Sequence, residues 1–127
     1  MAYYFAKTVN IPFDQAVDKT IAALKERGFG VLTRIDVRST LKEKIGADFH
    51  PYVILGACNP RMAHQALQAE DKIGTMLPCN VIVQAADGRT EVAAVDPVAS
   101  MQAIENAALA GIASKVRDEL KAVVQSL

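Results

Sequence analysis

The sequence predicts an α+β fold, a two-layer sandwich in which helices pack on one face of a mostly antiparallel sheet. Three observations lead to this prediction. Short apolar runs rich in aromatic and β-branched residues alternate with segments whose apolar residues recur every three or four positions. The pair Asp87–Gly88 separates two of the short runs, as in a hairpin between antiparallel strands. The last segment carries a long apolar stripe at helical spacing, wide enough to pack on a sheet.

The first half of the chain is predicted to contain a strand, a helix, a second strand and a short helix. We place them at residues 2–9, 12–28, 29–35 and 37–46. Pro12 suits the first turn of a helix, where a backbone N–H has no helical partner. Gly28 and Gly46 suit helix ends because glycine readily adopts left-handed backbone angles. Asp36 is the predicted N-cap of the short helix.

The second half continues with a strand, a helix, a hairpin and two further helical segments. We place the strands at 52–58, 79–85 and 90–95, and the helices at 60–74, after 96–97, and from 106 to the end. The complete order is therefore β-α-β-(α)-β-α-β-β-α. The strands at 52–58 and 79–85 have few polar residues on either side, which predicts that both faces of the sheet are covered.

Composition restricts the class of protein. The chain has 127 residues without a linker or a repeat, which predicts a single domain over residues 1–127. Lys plus Arg and Asp plus Glu each number 14, so no net charge draws the chain to nucleic acid, and we expect no nucleic-acid partner. No run of 18 apolar residues predicts a membrane span. Two cysteines without a secretory signal predict a cytoplasmic protein.

The two cysteines stand in similar surroundings. Cys58 and Cys79 are each followed by an asparagine and lie at the edge of an apolar run. Pro60 and Pro78 stop strand pairing beside them, so each cysteine marks a strand end. We therefore expect the two cysteines on neighbouring strands at one end of the sheet, where they would form a small polar pocket on an apolar floor.

The asparagines are predicted to fix the backbone around that pocket. Asn59 would cap the helix after it, and Asn80 would bond across the strand ends. His50 lies in a loop that leads into a strand, a common position for a binding residue. Cys58, Asn59, Cys79, Asn80 and His50 are thus the predicted ligand-binding residues.

Three kinds of chemistry are open to the cysteines. In the first, both are small buried hydrophobic residues, as free cysteines commonly are. In the second, they form a dithiol or a persulfide carrier, and the N-terminus of the adjoining helix would favour a thiolate at Cys58. The third is half a metal site, for which His50 and His64 supply further conceivable ligands. No two of these four residues are closer than six positions, so we predict no metal site.

The sequence also resembles a known family. The resemblance is carried, in order, by Gly28-Phe29-Gly30-Val31, Ile35-Asp36-Val37, Leu41-Lys42-Glu43-Lys44, Asp48-Phe49, Pro51-Tyr52, Ile54-Leu55-Gly56-Ala57-Cys58-Asn59-Pro60, Ile73-Gly74, Leu77-Pro78-Cys79-Asn80 and Val95-Asp96-Pro97. These strings are similar to those of domain-of-unknown-function family 302, over nearly the whole chain. The resemblance implies a small bacterial or archaeal α+β domain that often forms a dimer, and it brings no established activity, substrate or cofactor.

Together these observations predict a homodimeric module that binds a small ligand or a metal near the two cysteine segments. One alternative is a thiol-dependent redox or sulfur-transfer protein that uses Cys58 with Cys79. Another is a non-catalytic scaffold. No residue pattern assigns a catalytic group or a cofactor, because the carboxylates and hydroxyls occur where capping and turns explain them.

Overall fold

The computed structural model describes residues 2–127 and confirms the predicted α+β sandwich. Five antiparallel strands form one sheet in the order β1-β5-β4-β3-β2. The strands are β1 (Tyr4–Val9), β2 (Gly30–Asp36), β3 (Tyr52–Cys58), β4 (Cys79–Ala86) and β5 (Arg89–Val95). The helices are α1 (Phe13–Glu26), α2 (Val37–Ile45), α3 (Pro60–Ala69), α4 (Pro97–Ser100) and α5 (Ala107–Gln125).

One face of the sheet carries the hydrophobic core. Alternate residues of β3, β4 and β5 point to this face and are buried, among them Leu55, Val81 and Val92. Leu24 of α1 and Leu120 of α5 pack against them, each without exposed surface. The stripe predicted for the last helix is therefore the surface that α5 buries on the sheet.

The opposite face of the sheet, here called the open face, has no helix on it among residues 2–127. Residues paired in the sheet register share a face, so the open face can be read from the pairings. Its residues include Tyr4, Ala6, Thr8, Thr33, Ile35, Tyr52, Ile54, Gly56, Asn80, Ile82, Gln84, Ala86, Arg89, Glu91, Ala93 and Val95. Arg89, beside the β4–β5 turn, and Glu91 are the charged residues in this set, so the centre of the open face carries few charges for a surface in water.

The helix predicted over 60–74 is wrong in its second half. α3 ends at Ala69, and the next element is a short 3₁₀ helix, Asp71–Met76. The Asn106 side-chain Nδ2 donates a hydrogen bond of 2.7 Å to the Ala69 carbonyl, which satisfies a group at the end of α3. The other predicted bounds differ from the observed ones by at most two residues. None of the helices within residues 2–127 has the length and apolar character needed to cross a membrane.

Candidate functional site

A cavity of about 300 Å³ lies between α3, α5 and the end of the sheet where β3 stops and β4 starts. It exists because the residues on its floor and walls are small. Ala57 and Cys79 form part of the floor, and Ala63, Ala66 and Ala113 belong to the two helices. Protein interiors are normally packed without voids of this size, so the cavity is a candidate ligand site.

Both cysteines line this cavity. Cys79 pairs directly with Ala57, the residue before Cys58, so the two cysteines lie on neighbouring strands at one end of the sheet. This placement confirms the prediction from the flanking prolines. Both thiols are free, with Cys58 half-buried and Cys79 only 8% exposed.

The two thiols differ in their electrostatic surroundings. Burial raises the pKa of the Cys79 thiol to about 11, and the nearby Cys58 adds to the rise because two thiolates repel each other. Cys79 is consequently a neutral S–H group at physiological pH. It belongs to the apolar floor of the cavity and has the character of a small hydrophobic residue.

The two asparagines lie on opposite sides of the sheet. Asn59 lines the cavity and caps α3, since its Oδ1 accepts the Met62 backbone N–H at 3.2 Å. Gly28, with φ of 82°, lies against the Asn59 amide, and a Cβ at that position would come 3.1 Å from Nδ2. The predicted cap is therefore confirmed.

Asn80 does not share the cavity with Asn59. Asn80 pairs with Gly56 on the open face and is exposed, so it does not line the cavity. The bond expected across the strand ends is not among the hydrogen bonds within residues 2–127. The physical reason is strand alternation: Cys79 points to the core, so its neighbour in the same strand must point the other way.

His50 also lies apart from the cavity, at the opposite end of β3. Its Nε2 is 2.8 Å from Gln84 Oε1, and Gln84 Nε2 donates to Glu91 Oε1 at 3.1 Å. The His50 ring also stacks on Phe49, with 4.1 Å between the ring centroids. The structure thus separates His50 from the cysteines and places it in a hydrogen-bonded row that leads onto the open face.

The rim of the cavity contains residues that the sequence did not single out. Leu32 and Leu67 both line it, and they are 68% and 45% exposed. The register of β2 against β3 shifts between Val31 and Thr33, so a bulge lies at Leu32. A bulge changes the direction of a side chain relative to simple alternation, which explains how Leu32 reaches the cavity. A bulge leaves no clear signal in one sequence.

None of the residues that line the cavity is acidic, basic or a histidine. Its polar side chains are Asn59 and the two cysteines. Within residues 2–127 no three His, Cys, Asp or Glu side chains gather in a way that could hold a metal ion. The cavity is therefore uncharged and largely apolar.

An α+β sandwich with an apolar cavity between two helices and the sheet defines the structural class. The family model for the domain of unknown function DUF302 matches residues 5–127, and the chain therefore belongs to the DUF302 family. Among solved structures, the chain is similar to the crystal structure of the uncharacterized conserved protein DUF302 from Bacillus stearothermophilus. The two share 30% sequence identity and a TM-score of 0.92, and the alignment covers 98% of each chain. A search of curated proteins finds no match.

Proposed function

We propose that this protein binds a small molecule in the cavity between α3, α5 and the sheet. The observation that carries the proposal is the cavity itself: about 300 Å³, lined mainly by apolar side chains, with Asn59 and two thiols as its polar side chains. Ligand sites commonly have this composition and begin at about this size. The exposed Leu32 and Leu67 on the rim support the proposal, because a bound apolar molecule would cover them.

Benzene is a suitable first probe, because apolar cavities of about half this volume bind it. In ¹⁵N-labelled protein we expect benzene to shift the amide signals of cavity residues such as Cys58 and Ala113. Ala113→Leu would fill the space and abolish these shifts. Ala108→Leu adds the same side chain at an exposed position of α5 and should leave them unchanged. Failure of benzene to bind the unaltered protein would remove the basis of the proposal.

The alternative of thiol redox chemistry has weaker support. A resolving cysteine must attack as a thiolate, and burial keeps Cys79 protonated near neutral pH. The metal alternative has no cluster of three ligands within residues 2–127. We also infer a reducing compartment such as the cytoplasm, because both cysteines are free thiols.

We further propose that the protein is a homodimer that pairs through the open face. Two charged residues lie on that face: Arg89 is at its edge beside the β4–β5 turn, and Glu91 Oε1 already accepts a hydrogen bond from Gln84. Covering the face therefore leaves little polar surface to desolvate. Tyr3 and Tyr4 stand beside a groove of about 450 Å³ on the same face, so two copies related by a two-fold axis could place tyrosines in each other's groove.

Sedimentation velocity at tens of micromolar protein tests the dimer. We expect a dimer for the unaltered chain and a folded monomer for Ile82→Lys, which puts an unpaired charge in the middle of the open face. Ile45→Lys is the matched control, since Ile45 is 73% exposed on α2. A monomeric unaltered chain would contradict the proposal.

A further inference from the structure

We infer that the ligand of the cavity is an uncharged, largely apolar molecule about the size of two fused rings, with one hydrogen-bond acceptor near its edge. This inference rests on the proposed function and adds the chemical class of the ligand. Three properties of the cavity support it: its charge, its volume and the chemistry of its polar groups.

The charge of the cavity excludes ionic ligands. No lining residue is acidic, basic or a histidine, so no side chain could neutralise a phosphate, a carboxylate or an ammonium group. Taking an unpaired charge out of water is strongly unfavourable. Nucleotides, free amino acids and organic acids would therefore be excluded.

The volume sets the size. An apolar cavity of about 150 Å³ accommodates benzene, and this cavity has about 300 Å³. Two fused six-membered rings are therefore a good match. The exposed Leu32 and Leu67 extend the apolar surface outward, so the part of the ligand nearest solvent should also be apolar along that side.

The polar groups of the cavity favour an acceptor on the ligand. Asn59 Oδ1 already accepts the Met62 N–H, and the Nδ2 amino group is the only donor of this side chain. The two cysteine side chains are weak hydrogen-bonding groups and add little to this set. A carbonyl or ether oxygen on the ligand would match this set, whereas an additional strong donor on the ligand would have to share Asn59 Oδ1 with the Met62 N–H.

Four matched naphthalene probes test the class by calorimetry or by the amide shifts used with benzene. They are 2-acetylnaphthalene, naphthalene, 2-naphthoate and 2-naphthylmethylammonium. We expect 2-acetylnaphthalene to bind about 3- to 10-fold more tightly than naphthalene, the range of one net hydrogen bond. The two ions should bind at least about 100-fold more weakly, because each would bury an unpaired charge.

Asn59→Asp identifies the donor. This variant keeps the Oδ1 that caps α3 but replaces Nδ2 with oxygen, so the advantage of 2-acetylnaphthalene over naphthalene should disappear. Asn80→Asp makes the same change on the open face and should preserve the advantage.

The outcomes separate the two proposals. If benzene binds but either ion binds as tightly as 2-acetylnaphthalene, the uncharged class is wrong while the cavity remains a ligand site. If benzene binds but none of the four probes does, the size is wrong. If 2-acetylnaphthalene still binds Asn59→Asp more tightly than naphthalene does, Asn59 Nδ2 is not the donor to the ligand. If benzene fails as well, the proposed function itself is wrong.

Discussion

The two Cys-Asn pairs have the same sequence and opposite environments. Cys58-Asn59 lies where β3 ends, and both residues line the cavity. Cys79-Asn80 lies where β4 begins, so Cys79 is buried under the helices and Asn80 is exposed on the open face. The dipeptide alone therefore does not determine the site.

The difference arises from the secondary structure of the residue after each cysteine. Asn59 leaves the strand and starts α3, so its side chain turns back to the helix and stays on the cavity side. Asn80 remains in β4, where successive side chains alternate between faces. A Cys-Asn pair at the end of a strand therefore has both residues at one site. A Cys-Asn pair at the start of a strand has its two side chains on opposite faces of the sheet.

Gly56→Ala should have the largest effect, because Gly56 fixes the register that places the two pairs side by side. A Cβ at this position would lie 2.1 Å from Thr33 Oγ1 and 2.8 Å from Pro78 Cγ. Thr33 can rotate, but the proline ring cannot move away without shifting the start of β4. We expect a loss of about 3 kcal/mol in the free energy of unfolding, measured with urea.

Gly30→Ala is the control for Gly56→Ala. Gly30 lies in the neighbouring strand β2, and a Cβ there meets no atom within 4 Å. The free energy of unfolding of Gly30→Ala should differ from that of the unaltered chain by less than about 0.5 kcal/mol. Equal effects of the two substitutions would contradict the close approach of Gly56 to Pro78.

Alkaline pH should also distinguish the two cysteines. Burial raises the pKa of Cys79 from 9.0 to about 11, so the folded state holds its proton after the unfolded state has lost it. The contribution of the protonated Cys79 thiol to the free energy of unfolding is fully present below about pH 9 and is lost as the pH rises to about 11. At most this amounts to about 2 to 3 kcal/mol.

Denaturation curves between pH 8 and pH 11 for the unaltered chain and for Cys79→Ala would measure this loss. Lysines and tyrosines titrate in both proteins, so the difference between the two curves isolates Cys79. The stability advantage of the unaltered chain should shrink as the pH rises. A constant difference would show that Cys79 is less buried than the structure indicates.

Serine substitutions compare the cysteines at neutral pH. Cys79→Ser places a hydroxyl on the apolar floor of the cavity, where the loss of stability should be about 1 to 3 kcal/mol. Cys58→Ser is at a half-buried position, and we expect a loss below about 1 kcal/mol. A larger loss at Cys58 than at Cys79 would reverse the assignment of the two environments.

Most of the fold can be predicted from the sequence because its signals are local. Strand β3 is predicted at 52–58, as observed, since an apolar run with clear breaks needs no information from distant residues. The predicted helix caps at Asp36 and Asn59 are equally local, and each side chain accepts the expected backbone N–H. The error at the end of α3 comes from a distant residue, Asn106, which bonds to the Ala69 carbonyl.

The candidate site can be predicted only in part because its geometry depends on the phase of each strand. The prolines correctly indicate that Cys58 and Cys79 share one end of the sheet. Alternation within the predicted strand 79–85 already places Asn80 opposite Cys79, and the length of the predicted strand 52–58 already separates His50 from Cys58. Leu32 reaches the cavity through a bulge, and the cavity itself exists only once α3 and α5 pack together.

Substitutions of the two asparagines should have the smallest effect on stability, and they test the comparison of the two Cys-Asn pairs most directly. Asn59→Ala removes the side-chain acceptor for the Met62 N–H at the start of α3, which should lower the free energy of unfolding by about 1 kcal/mol. Asn80→Ala removes an exposed side chain on the open face, and its effect should stay within about 0.5 kcal/mol. Asn59→Asp should keep the stability of the unaltered chain, because a carboxylate also accepts this N–H and is favoured at a helix N-terminus.

Urea denaturation of all three variants measures the ranking of their stabilities. If Asn80→Ala lowers stability as much as Asn59→Ala, then Asn80 does bond across the strand ends, and the two pairs are more alike than their positions in the sheet indicate.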